Sequence, residues 1–165
     1  MKSGSQGVYV IAEAGVNHNG QRDLALALVE AAAVSGADAV KFQTFDAVKL
    51  ASKHAPKAAY QVSNTANNES QLAMLKKLEL PKEWHQDIQQ HARSLGIEFL
   101  STAFDTESLD FLSHLGMPFF KVPSGELTNG PLLWQFAHTH KQNRLTRMGT
   151  TRMADKKGQK TGRNG

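Results

Sequence analysis

Cysteine is absent from the 165-residue chain, which excludes a disulfide framework, a thiolate metal site and a thiol nucleophile. That absence fits a reducing compartment, and a cytoplasmic location is expected. Long apolar runs are also lacking. The first strand candidate, Val8-Tyr9-Val10-Ile11-Ala12, falls far short of the ~18 apolar residues that a membrane helix requires, so a soluble product with no membrane partner is expected. No Gly-x-Gly-x-x-Gly turn follows that strand, which argues against the usual phosphate site of a doubly wound open sheet without excluding such a sheet. The net charge of +4 suggests a polyanion binder until it is divided along the chain. Residues 141–165 hold eight Lys/Arg and one Asp, a net of +7, which leaves −3 for residues 1–140. The basic stretch has no aromatic residue to stack on a base, so no nucleic-acid partner is expected, and binding through a basic arm is only an alternative reading.

What is present is punctuated by glycine. After the polar leader Met1 to Gly7, the β-branched and aromatic run Val8 to Ala12 reads as a strand buried on both faces, entering the polar loop Glu13 to Gly20. From Asp23 onward, Leu24, Ala27, Leu28, Ala31 and Val34 recur at helical spacing up to Gly36, and Ala39 to Gln43 form a second short strand. Strand, helix and strand in that order make a βαβ unit of a parallel sheet. Thr44 to Leu80 reads as an insertion on the loop side of the second strand, with an exposed loop from Ser63 to Ser70 and a short helix from Gln71 to Leu78. A helix opening at Pro81 presents Trp84, Ile88, Ala92 and Leu95 on one apolar face. Strands follow at Ile97 to Leu100 and Phe119 to Val122, separated by a helix from Thr106 to Leu115, and a last helix runs from Leu132 to about His138. Trp84 and Phe111 are expected in the core, His138 and His140 on the surface.

The stop glycines align a weak repeat. Gly36 to Lys41, Gly96 to Ser101 and Gly116 to Lys121 each close an apolar strand with a polar residue at the fifth position after the glycine, which predicts that Lys41, Ser101 and Lys121 share one level. Strands ending in polar groups at one level fit a (β/α)8 barrel of TIM type, whose sites lie at the C-terminal ends of its strands. About the first four βα units of such a barrel are legible, over residues 1–140. Two strand-end lysines beside hydroxyl groups form a cationic rim suited to a small phosphorylated or carboxylated ligand, although lysines that merely reach solvent would show the same spacing. Glu13 and Glu126 could bind a sugar hydroxyl or move a proton, or act only as a loop acid and a helix-cap partner. His18, between Asn17 and Asn19, stays open among ligand, acid–base group and loop residue.

Four segments in order, Ile11 to Gly20, Gly36 to Gln43, Gly96 to Asp105 and Lys121 to Glu126, resemble the successive motifs of the sialic acid synthase family, the N-acetylneuraminate and legionaminate synthases. The resemblance covers roughly residues 8–140. It implies a transferase of (β/α)8 fold that condenses phosphoenolpyruvate with an N-acetylated hexose, N-acetylmannosamine or a close relative, to a nine-carbon 2-keto sugar acid and phosphate. It also implies a homodimer and a divalent metal cofactor such as Mn2+ that polarises the sugar aldehyde. Carried over position by position, Lys41, Thr102, Lys121 and Ser124 hold phosphoenolpyruvate, while Glu13 and Glu126 are the catalytic carboxylates at the sugar and the reacting water. Gln43, Asp105 and His18 sit in the same motifs as possible further site residues. Another phosphate-binding barrel enzyme, aldolase-like or making a 3-deoxy sugar acid, would share the strand-end lysines but leave the Asn17 to Gly20 loop and the Pro123 to Glu126 turn unexplained.

The departures are informative too. Ala103 stands where the family usually has proline. After His140 the family pattern continues with an apolar fifth strand, whereas residues 141–165 offer only Leu145, Met148, Met153 and Ala154 as apolar residues, without periodicity. This stretch is expected to be a basic, disordered, non-family tail produced by a reading-frame change or a misprediction near codon 141. The family's two metal-ligating histidines and its C-terminal antifreeze-like domain would then be lacking. No metal site is expected in the chain itself, and on its own it is expected to be inactive.

Overall fold

A computed structural model describes residues 8–58, 71–139 and 142–145, in which successive strands are separated by helices. The order is β1 (Ile11–Gly15), α1 (Arg22–Val34), β2 (Ala39–Thr44), α2 (Ala47–Ala58), α3 (Gln71–Leu78), α4 (Lys82–Ser94), β3 (Glu98–Ala103), α5 (Thr106–His114), β4 (Phe119–Val122), a 3-10 turn (Ser124–Glu126), α6 (Gly130–His138) and β5 (Gln142–Leu145). β1, β2 and β3 form a parallel sheet in that order, β4 and β5 pair in parallel, and β4 lies against β3. Gly36, Gly96 and Gly116 follow α1, α4 and α5 at φ of +77, +75 and +81°, a left-handed conformation that ends a helix and turns the chain into the next strand. The expected loop at 63–70 lies outside the described residues. α2 lies in the stretch read as an insertion, where Ala47, Leu50 and Ala51 recur at helical spacing. A cap opens it: the Asp46 carboxylate accepts the Val48 and Lys49 N–H groups at 2.8 and 3.1 Å.

Strand alternation sorts the side chains onto two faces. Val40, Phe42, Phe99, Ala103, Phe120 and Val122 pack beneath the helices with Val29, Ile88, Leu112 and Phe136. Trp84 and Phe111 join this cluster as partly buried members, while His138 is exposed and stacks on Trp134. Phe42 is fully buried and stacked on Phe99, and truncating a residue so placed costs about 3–5 kcal/mol. On the opposite face Ile11, Ala39, Leu100 and Phe119 make a small apolar layer, joined by Tyr9. Two residues further along each of those strands stand Glu13, Lys41, Thr102 and Lys121.

The register corrects one expectation. Lys41 pairs with Leu100, and Ser101 pairs with Phe42. The first pair of this ladder joins Ala39, three residues after Gly36, to Glu98, only two residues after Gly96, so counting from the glycines misplaces β3 by one. A slip of one residue reverses the face. Ser101 therefore turns under the helices, where its hydroxyl lies 2.7 Å from Thr44 Oγ1. Thr44 Oγ1 is in turn 2.8 Å from His85 Nε2, and His85 Nδ1 is 3.0 Å from the Pro81 carbonyl. Since a carbonyl only accepts, Nδ1 carries the proton, Nε2 accepts from Thr44, and Thr44 accepts from Ser101. This chain of bonds ties α4 to the ends of β2 and β3.

A second difference follows His140, in the stretch expected to be a disordered tail from residue 141. Gln142 to Leu145 form β5, paired from Phe119 with Gln142 through Val122 with Leu145. Ladder bonds use backbone groups alone, so pairing beside β4 does not require an apolar pattern. The described residues thus hold an α/β arrangement with parallel strands. No helix among the described residues is long and apolar enough to cross a membrane.

Burial pushes His85 from the ordinary 6.5 down to about 4, against the opposing pull of the Pro81 carbonyl. A depressed folded-state value means that the unfolded chain takes up the proton first. Stability from this group is therefore full above about pH 6.5 and declines as the pH falls toward 4, by about 2 kcal/mol between pH 7 and 5. Urea titrations at the two pH values should show that part of the loss in the wild type and not in His85→Leu; an identical loss in both would contradict the assignment.

Candidate active site

The end of β1 is built around an extra residue. Glu13 pairs with Lys41 and Gly15 with Phe42, so Ala14 is an unmatched residue of a bulge, the kind of irregularity that re-aims side chains at a strand end. Gly15 has φ +56°, and a Cβ there would lie 3.3 Å from Glu13 Oε1 and 3.5 Å from Gln43 Nε2. Bare backbone at this point lets the Glu13 carboxylate and the Gln43 amide occupy neighbouring space.

Lys41 Nζ lies 2.5 Å from Glu13 Oε2. The lysine side chain is 8% exposed and the glutamate 54%, so a buried ammonium is matched by a carboxylate at the edge of water. Without an anion the burial of Lys41 would cost several kcal/mol. The Lys121 amine is held below the ordinary lysine value, first by burial, then by the like charge of Lys41, with Glu13 pulling the other way. The three charges therefore sense one another across β1, β2 and β4. Thr102, paired with Gln43 on the adjoining strand, is buried, and among the described residues its Oγ1 has no hydrogen-bond partner. Leaving such a hydroxyl unpaired costs about 1–3 kcal/mol, which an acceptor on a bound molecule would recover.

The β4 end supplies a second carboxylate. Ser124 is half-buried at the start of the 3-10 turn, and Glu126 is buried at its end. Glu126 Oε2 accepts the Asn129 side-chain N–H at 2.6 Å, while Asn129 Oδ1 accepts the Leu132 N–H at 3.4 Å and so caps α6. Asn129 thus fixes the glutamate to the frame of the helix. The sequence shows this asparagine only as a helix opener; its position three residues after Glu126 was the available signal. The role of Gly15 has no signal in the sequence beyond the glycine itself.

Of the remaining motif residues, one is engaged in a helix cap and the other, His18, keeps a buried Nε2 without a hydrogen-bond partner among the described residues. Asp105 caps α5, its carboxylate accepting the Ser108 N–H and hydroxyl at 2.8 and 2.7 Å and the Asp46 N–H at 3.1 Å. Burial would raise its pKa, but these bonds and Lys49 outweigh burial and hold it below the usual range. His18 is fully buried, its Nδ1 accepts the Gly20 N–H at 3.1 Å, and its ring lies 6.2 Å from Phe42, which faces the helices. Burial lowers its pKa. Among the described residues no group of three or more His, Asp or Glu is arranged to hold a metal ion.

The sequence pattern of the NeuB family matches residues 28–158. N,N'-diacetyllegionaminic acid synthase of Campylobacter jejuni is 54% identical over 133 residues, which cover 81% of this chain and 40% of that protein. The protein of the same name from Legionella pneumophila is 54% identical over 132 residues, 80% of this chain and 37% of that one. N-acetylneuraminic acid (sialic acid) synthetase from Leptospira borgpetersenii, solved in complex with citrate, matches with a TM-score of 0.71 at 26% identity, over 88% of this chain and 47% of that one. The chain spans less than half the length of these proteins.

Coupling between the two lysines can be read without any ligand. In Lys41→Met the amine of Lys121 loses a like charge, so its titration, followed by NMR of the labelled side chain, should move to higher pH. No movement would show that the two ammonium groups do not interact.

Proposed function

This chain belongs to the NeuB family, whose members here are sialic and legionaminic acid synthases, and from that premise we propose that its strand ends form the phosphoenolpyruvate side of a synthase site. The reaction is the condensation of phosphoenolpyruvate with an N-acetylated hexose. The enol carbon bonds to the carbon of the open-chain aldehyde, water adds at carbon 2, and phosphate leaves to give a nine-carbon 2-keto sugar acid. Lys41 and Lys121 neutralise the phosphate and carboxylate as point charges, with Thr102 and Ser124 donating hydroxyl hydrogens. Glu13 faces the sugar, and Glu126, oriented by Asn129, directs or deprotonates the water. The complete synthase is proposed to act in the cytoplasm as a homodimer.

One observation supports the reading above the rest: two ammonium groups and an unpaired buried hydroxyl stand on one face, two residues beyond an apolar layer. A divalent metal such as Mn2+ would supply Lewis acidity at the aldehyde oxygen. The described residues offer no ligand set for it.

Isothermal titration of phosphoenolpyruvate into the 165-residue chain tests the proposal. Binding should weaken by about tenfold or more in Lys41→Ala and in Lys121→Ala, as expected for loss of a charge-assisted contact. Affinities unchanged in both variants would overturn it.

A further inference from the structure

We infer that Glu13 is a displaceable counter-ion: it neutralises Lys41 in the free protein and yields that lysine to the anionic groups of the incoming ligand. The inference rests on the phosphoenolpyruvate reading. Exposure of the two partners is unequal, with the Lys41 side chain 8% exposed and that of Glu13 54%. The lysine cannot leave without carrying a buried charge through the site, whereas the glutamate can swing toward water at small cost. Before ligand arrives, a buried ammonium needs an anion, and Glu13 at 2.5 Å provides it. Lys121 adds a second cation close enough to sense both charges, so the two ammonium groups outnumber the one carboxylate paired with Lys41.

A ligand with a phosphate and a carboxylate supplies more negative charge than this cluster lacks. If Glu13 stayed on Lys41, its carboxylate would face the ligand's own anionic oxygens, and like charges at such distances repel. The structure offers the displaced glutamate a partner. The Gln43 amide and the Glu13 carboxylate border the same point above Gly15, 3.5 and 3.3 Å from where a Cβ would sit, and glycine places no side chain between them. Glu13 can therefore exchange the Lys41 ammonium for the Gln43 N–H. That exchange turns a carboxylate neutralised by lysine into one with acceptor capacity to spare, facing the half of the site assigned to the sugar.

The test is phosphoenolpyruvate affinity by isothermal titration in wild type, Glu13→Gln, Glu13→Asp and Lys41→Ala, with circular dichroism confirming the fold of each. Removing a competing counter-ion should tighten binding in Glu13→Gln by about three- to tenfold. Glu13→Asp, charged but one methylene further from Lys41, should fall between Gln and wild type, and it decides the matter if the Gln variant does not fold. Equal or weaker binding in Glu13→Gln, with Lys41→Ala still impaired, would overturn the counter-ion role and leave the phosphoenolpyruvate reading standing. Unchanged binding in Lys41→Ala, or no binding by any form, would overturn both.

Discussion

Side chains on a strand alternate between faces, so the stagger between neighbouring strands decides which groups meet. In this chain the offset of β3 against β2 places Leu100 beside Lys41 and carries Thr102 on to the face of Gln43. The same offset sends Ser101 beneath the helices, where it joins Thr44 and His85. The placement of Thr102 beside Gln43 follows from that register. A shift of one residue would bury Thr102 under α4 and put Ser101 beside the lysines, and Phe99 would leave its stack with Phe42. Core packing and site geometry are therefore specified together. The large apolar cluster under the helices fixes the register, and the register presents the polar level.

The small apolar layer of Ile11, Ala39, Leu100 and Phe119 has an electrostatic consequence. It floors the site with groups that cannot solvate a charge, which strengthens the coupling of Lys41, Glu13 and Lys121 above it. Charged groups held over such a floor are the kind of preorganisation on which electrostatic catalysis depends. Glu126 is prepared in another way, by an asparagine that also caps a helix, so that the orientation of a side chain is inherited from the backbone of α6.

Much of this was legible in the sequence. Glycines at 36, 96 and 116 end helices as their spacing implied, and Lys41 and Lys121 do stand two residues beyond an apolar layer. Ser101 was misplaced because a count from the glycine assumes that every turn into a strand has the same length. Thr102 was reached only through the family motifs, since nothing in a run of Leu-Ser-Thr-Ala tells which hydroxyl faces inward. Asp105, expected as a possible site residue through its motif, caps α5 by accepting the Ser108 N–H. α2 sits in a stretch that reads as an insertion although Ala47, Leu50 and Ala51 keep helical spacing, whereas β5 forms by backbone pairing that leaves no apolar pattern. The parts played by Gly15 and Asn129 depend on neighbours brought close by folding, which no local pattern records.

A crystal structure of the chain grown with phosphoenolpyruvate tests the central claim most directly. The account predicts the ligand's anionic groups between Lys41 Nζ and Lys121 Nζ, with Thr102 Oγ1 donating to one of its oxygens. Ligand bound away from those three residues, with Thr102 Oγ1 still unpaired, would contradict it.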